Sequence, residues 1–430
     1  MLKYNECQIL ACKECGFMTD SKNIFRLIVL VVFSAFFLGA YLLESLGVQY
    51  VSKGGSPLLK IHIYSYMIMI GVCIFLLKYG FKGYLEVLGN YRSAWLTSFF
   101  CISFVICYGL YSQGLSGMAY LVDLIFSPLL FVPLVMSLTR VQKELILRLL
   151  AYLILFNACI AILEFAAGQL LIPTDFSDFS YFRSSALLGH PLNNALITAS
   201  LTMLLMDRTR LSSIMLFFIV LVALFAFGGR GSVAIFLLAF TFMLLPAIKG
   251  FLITGIRVSK LTFALYQIGI IVVFIAVVCV LMMTSVGDRI FSKLYVDGSA
   301  QARFDVFILL EQLSFNEWLF GANESIKDNI KFYIGVNVIE NYLIGWVISF
   351  GLFGAIPLFV SVFLLPIKMS LNLDVKATLA LSVLFFTSIT NNALSVKGII
   401  ILLFFLAFSC LLNKGRDGFS NIMTSKVLAK

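Results

Sequence analysis

Runs of apolar residues long enough to cross a lipid bilayer recur from residue 27 to residue 412 of this chain. A hydrocarbon core of ~30 Å takes ~20 helical residues. Backbone groups out of reach of water must pair within their own segment, so runs of this kind become helices rather than an open sheet. They fall at 27–44, 61–77, 94–111, 119–138, 147–167, 192–206, 211–227, 232–248, 262–283, 341–365, 377–390 and 399–412. The alternating strands of an outer-membrane barrel are missing. Apolar residues make up 61% of the 430 and charged residues 12%, about half the charged share of a globular chain. The expectation is an all-α polytopic membrane protein of about 12 transmembrane helices with almost no soluble domain.

The net charge of +10 does not point to nucleic acid, because Lys and Arg sit singly between apolar runs rather than in a basic stripe. Counted by connection they alternate. One set holds Lys3, Lys13, Lys22 and Arg26, then Lys78, Lys82 and Arg92, Arg140, Lys143 and Arg148, Arg208 and Arg210, Lys249, Arg257 and Lys260, Lys368 and Lys376, and the C-terminal tail. By the positive-inside rule these connections are cytoplasmic, with both termini inside. The N-terminal residues carry no cleavable signal pattern. Most cysteines lie inside apolar runs, where Cys packs as a small hydrophobe. The Cys12–Cys15 pair lacks the second ligand pair of a zinc site, and no disulfide is expected on the outer side.

The division that follows is an N-terminal tail over 1–26, helices over 27–283, an outer segment over 284–340, helices over 341–412 and a C-terminal tail over 413–430. The outer segment is long enough to hold structure of its own. Its aromatic and aliphatic content and amphipathic stretches such as Phe304 to Leu313 predict short helices lying as a cap on the outer face. No internal repeat is visible, which counts against an inverted-repeat transporter.

Cations on the outer side oppose the orientation rule and therefore need a task or a partner. Arg183 lies just before the sixth run, Arg230 within the Gly-Gly-Arg-Gly-Ser connection, and Arg303 within the outer segment. Each can pair a lipid phosphate or an acid such as Asp175 or Asp305, or can bind a diphosphate bidentately. Arg230 favours the second role, because its glycine neighbours let a ligand approach the backbone. Glu340 opens the tenth run, either as an acid at a helix N-terminus or as a general base. His190 and His62 sit at the outer ends of runs six and two, and a lone His is more often a structural hydrogen bonder. Asp123 and Glu164 are acids near the outer ends of runs four and five, and Glu164 is expected to pair with an Arg. No metal-binding motif, P-loop or dinucleotide fingerprint occurs, so no metal and no cofactor are expected.

Four features occur in order. Arg183 is followed by Gly189, His190, Pro191, Leu192, Asn193 and Asn194; Gly229-Arg230-Gly231-Ser232 makes a turn between helices; Arg303 precedes Glu317-Trp318-Leu319-Phe320-Gly321; and Glu340-Asn341-Tyr342-Leu343 leads to Gly351-Leu352-Phe353-Gly354. Over residues 181–354 this order resembles the O-antigen ligase and polymerase superfamily of bacterial inner membranes (Wzy/WaaL type). The resemblance implies a GT-C-like membrane glycosyltransferase that is metal-independent and acts at the periplasmic face on undecaprenyl-diphosphate-linked oligosaccharides. Membrane lipid and a chain-length regulator protein are further implied partners. It assigns catalysis to Glu340, Arg230 and Arg183, and substrate binding to Arg303, His190, Asn194, Asn341 and Glu164. Ligases of the superfamily typically carry His where this chain has Glu340, which favours a repeat-unit polymerase. A ligase using a lipid or protein acceptor, and a polysaccharide flippase, are the alternatives.

Overall fold

The computed structural model describes residues 21–52, 56–114, 117–173, 182–255, 306–330 and 339–412, with a few isolated positions between 259 and 332. Cys12, Cys15, Arg303, residues 1–20, the C-terminal tail and nearly all of the ninth apolar run lie outside the described residues. Among those described there is helix, turn and irregular chain but no strand.

Helix α1 covers 21–37 and starts ahead of the apolar run, because Ser21 bonds Gln142 of α5 at 2.7 Å. Then come α2 (Ile63–Glu86), α3 (Arg92–Gln113), α4 (Ala119–Met136), α5 (Arg140–Ala167), α6 (Pro191–Leu205), α7 (Ser213–Phe227) and α8 (Arg230–Thr254). A short helix α9 (Phe315–Phe320) precedes α10 (Tyr342–Ser370), α11 (Val375–Ile389) and α12 (Ile400–Leu411). Local chemistry sets the ends. Thr139 and Gln142 form a capping box at the start of α5, and Asp374 caps α11. Gly168 and Gly228 close α5 and α7 in the left-handed conformation that glycine adopts without a Cβ penalty.

Among the described residues, five helices are long and apolar enough to cross a membrane: Ile63–Glu86, Gly89–Gln113, Ala119–Met136, Arg140–Ala167 and Tyr342–Ser370. Of the expected 12 or so transmembrane helices, these five have the length and apolarity of a span. Helices α7, α11 and α12 and the Arg230–Pro246 part of α8 are apolar but shorter. At 1.5 Å per residue the 15 residues of α6 reach only ~22 Å and the 12 of α12 only ~18 Å. Both match their apolar runs and face protein: every residue of α6 is buried, and so is all of α12 but its last residue. Helix α6 is the axis, walled by α5, α7, α8 and α11, while α12 packs on α4 and α5 and α10 packs along α3. Irregular chain over 390–399 supplies the remaining depth above α12, an arrangement tolerated at membrane depth where protein surrounds it.

The described connections fall on two opposed faces. Gly39 lies against Leu187, and Lys397 reaches Tyr50, on one of them. On the other, Lys143 donates to Leu412 and Lys376 pairs with Asp207. The first is the face expected to lie outside, and it carries the cap. There Val306, Leu309, Leu313, Ala322 and Ile326 pack on Ile344 and Ile348 of α10. Helix α10 breaks at Gly351 (φ +63°), and Ala322 N–H (2.8 Å) and the Gln113 amide satisfy the carbonyls of Ile348 and Ser349 that the break exposes. The fit is tight: a Cβ on Gly321 would lie 2.8 Å from the Ser349 carbonyl. The Glu317–Gly321 and Gly351–Gly354 segments, distant in sequence, thus meet at one joint.

Candidate active site

Three helices begin on the cap-bearing face beside the residues singled out in the sequence. Pro191 occupies the first turn of α6, where its missing N–H costs nothing. His190 precedes it, and its Nδ1 accepts from Leu192 N–H at 3.3 Å. That bond leaves Nε2 as the protonated nitrogen. Burial, with the nearby charge of Arg183, lowers the His190 pKa to about 4, so the ring is neutral at pH 7. Helix α10 is capped by Asn341, whose Oδ1 accepts from Leu343 (3.0 Å) and Ile344 (3.3 Å), with Glu340 half-buried just ahead of it. Asn341 is therefore engaged with its own helix, like His190. Arg230 is exposed at the first position of α8.

Glycine brings these starts together. A Cβ on Gly229 would come within 2.7 Å of Ala195 in α6, and one on Gly231 within 2.8 Å of the Thr390 hydroxyl at the end of α11. From Thr390 the chain runs to Ser395, which donates to Tyr342 O at 3.3 Å, while Trp346 donates to Leu394 O at 3.1 Å. The 390–395 turn therefore lies between the Arg230 end of α8 and the Asn341 end of α10.

Beneath Arg183 the chain is held by a buried polar knot. The Glu164 carboxylate accepts from the Ser184 hydroxyl and from the backbone N–H of Ser185 (3.0 Å), Ala186 (2.9 Å) and Leu171 (2.7 Å). Asn157 donates to Asn194 at 3.0 Å and accepts from Leu187 N–H at 3.0 Å. Asn194 donates to Ser185 O and Gly189 O at 2.7 and 3.1 Å. Ala186 is held at φ +41°, a region that non-glycine residues rarely enter. Glu164 thus binds hydroxyl and amide donors rather than the expected arginine. A carboxylate among converging N–H groups is already satisfied, and an added guanidinium would have to displace them. Asn194, expected to bind substrate, is spent on the same turn.

A second knot on this face joins Asp123 and His62 to Tyr50, Ser65 and Lys397, which the sequence had not singled out. Asp123, in a π-helical turn of α4, is fully buried and accepts from Tyr50 (2.7 Å), Ser65 (2.6 Å) and His62 N–H (2.9 Å). Lys397 donates to the carbonyls of Tyr50 (2.5 Å) and Lys60 (2.7 Å) and stands 3.9 Å from the Tyr50 ring centre. Its position on the outer side was a legible signal of the same kind as Arg183. Asn157, a lone amide in an apolar run, was another.

Among the described residues no group of three or more His, Cys, Asp or Glu could hold a metal ion. Three helices turn the positive ends of their dipoles toward this region, where Arg183, Arg230 and Glu340 also stand. No protein-family model and no curated protein matches the chain.

Proposed function

We propose that the chain is a membrane glycosyltransferase that joins polyprenyl-diphosphate-linked oligosaccharide repeat units, acting on the face that carries the cap. The observation that supports this reading is the gathering of the starts of α6, α8 and α10 around the 390–395 turn, with Arg230 opening α8 and Arg183 close to His190. An anionic leaving group is what such a place stabilises, through fixed dipoles and charges that need no reorganisation. In the reaction, an acceptor sugar hydroxyl attacks the anomeric carbon of the donor unit. The bond from that carbon to the diphosphate oxygen breaks, and the polyprenyl diphosphate departs with the electron pair. Arg183 and Arg230 bind the departing oxygens, and Glu340 takes the hydroxyl proton. His190, neutral and engaged as a cap, is a positioning residue.

A proton-coupled transporter reading finds less support. Its candidate relay acids, Asp123 and Glu164, are each saturated by donors near one face.

The test is glycan ladder analysis of a null strain complemented with Arg183→Ala, Arg230→Ala, Arg303→Ala or Glu340→Ala. Loss of a polymerase leaves single repeats on the lipid acceptor. Loss of a ligase leaves the acceptor bare while polymer accumulates on its carrier. Normal long chains in all four strains would reject the proposed site.

A further inference from the structure

The opposite face holds a cavity of about 430 Å³ whose lining includes Arg140, Glu144 and Arg148 of α5, Arg208 after α6, and Cys410 and Leu411 of α12. One carboxylate there serves two guanidiniums: Glu144 pairs with Arg148 at 3.2 Å and with Arg208 at 2.6 Å. Each arginine has five N–H donors, and each spends one on Glu144, so the pair is oriented while most of its donors remain available. Arg140 adds a third cation, exposed and without an ion pair among the described residues. It is the first residue of α5, where its charge adds to the positive end of the helix dipole instead of offsetting it. Three cations against one acid leave the cavity cationic.

One wall of the cavity is apolar and turned outward. Val141 and Leu145, one turn apart on α5, are 71% and 50% exposed. They stand at the end of a helix long and apolar enough to cross a membrane, which places them at the edge of the hydrocarbon. A free inorganic anion has no use for such a lip, whereas a diacylglycerol backbone does.

We propose that this cavity binds the headgroup of an anionic phospholipid. Its phosphodiester meets Arg140, Arg148 and Arg208, and its acyl chains leave over Val141 and Leu145. Arg is suited to phosphate by its planar, bidentate fork, and basic pockets between membrane helices are a general form of acidic-lipid site. A lipid held here ties together α5, the end of α6 and the end of α12. The site is remote from the one proposed for catalysis and does not depend on that reading.

The test uses the purified full-length chain in neutral detergent, with bound lipid counted by native mass spectrometry. Dioleoylphosphatidylglycerol is expected to occupy a saturable site that dioleoylphosphatidylcholine does not fill. Arg140→Gln, which breaks no ion pair, should weaken that site about five-fold, and Arg140→Gln/Arg148→Gln further. Val141→Asp should weaken it too, through the lip alone. Inorganic phosphate in large molar excess should leave the lipid bound. Equal phosphatidylglycerol binding by wild type and the double arginine variant would overturn the proposal. So would equal binding of the two lipids, or displacement by phosphate with no effect of Val141→Asp, which would mark a free-anion site. Thermal melting shows that each variant is folded, and Arg140→Gln is decisive because its side chain supports no described contact.

Discussion

Two buried acids on the same face are built into their surroundings in parallel, and the contrast between them separates a working site from a brace. Glu164 and Asp123 each sit below a helix whose N-cap is a histidine: His190 at α6 and His62 at α2. Each knot also has a nearby cation on the side that the charge rule disfavours, Arg183 next in sequence to Ser184 and Lys397 on Tyr50. The difference lies in what the acid grips. Asp123 takes two side-chain hydroxyls and one amide, and the Lys397 beside it is turned inward onto two carbonyls and a ring. Glu164 takes one hydroxyl and three backbone amides, two of them from a turn strained at Ala186. Strained backbone that surrounding bonds over-determine is a mark of functional sites. The Glu164 knot fixes a segment that carries Arg183 toward the helix starts, whereas the Asp123 knot closes loops on themselves.

Removal of each acid tests that contrast most severely. Glu164→Ala leaves two fully buried amides without an acceptor, a loss of about 4 kcal/mol. It should abolish long-chain product even in whatever protein folds. Glu164→Gln keeps an acceptor and should restore part of both stability and product. Asp123→Ala should cost about 3 kcal/mol while product per folded molecule stays near wild type. Loss of product in Asp123→Ala at normal folded yield would erase the distinction between the knots.

The two histidines sharpen the comparison next. Burial lowers both pKa values to about 4 from the usual 6.5, with Arg183 adding to the effect at His190 and Lys397 at His62. Between those values the unfolded imidazole holds a proton that the folded one lacks, so stability rises with pH up to 6.5 and is lost as pH falls toward 4. For one histidine the loss is about 2 kcal/mol at pH 5. His190→Asn and His62→Asn should each flatten the pH dependence of the melting temperature below pH 6.5. Only His190→Asn should also lower product at neutral pH, because only His190 positions the Arg183 segment.

The smallest effect belongs to Lys397. Burial and the charge of Lys60 lower its pKa to about 8, so it is still mostly charged at pH 7. Lys397→Met removes two hydrogen bonds and a desolvated charge together. The net change should be under about 1 kcal/mol, with hydrogen exchange accelerated in 44–62 and product unchanged. A fall in product would make the brace part of the site.

Helical character and the two faces were legible in the residues, although α2 runs on to Glu86 and α5 begins at Arg140, past the ends of their apolar runs. Apolar run length and the alternation of basic connections report them, and both are local properties. Asn341 and His190, expected to bind substrate, cap α10 and α6 instead. The burial of α6 and α12 was not legible, because hydropathy cannot tell a wall of lipid from a wall of protein. Arg183, Arg230 and Glu340 stood out as charges against a rule, whereas the partner of Glu164 depended on how chain 184–186 folds back over α5.

What the sequence determined by itself is that this chain is helical, apolar and two-faced, because backbone groups without water leave no other choice. Only the tertiary structure decided that α6 is an axis rather than a lipid-facing span. It also decided that Gly229 and Gly231 bring the start of α8 against α6 and α11, and that Gly321 docks into the break at Gly351. Those outcomes rest on close approach between segments far apart in the chain, where the absence of a side chain matters only once the neighbour is in place.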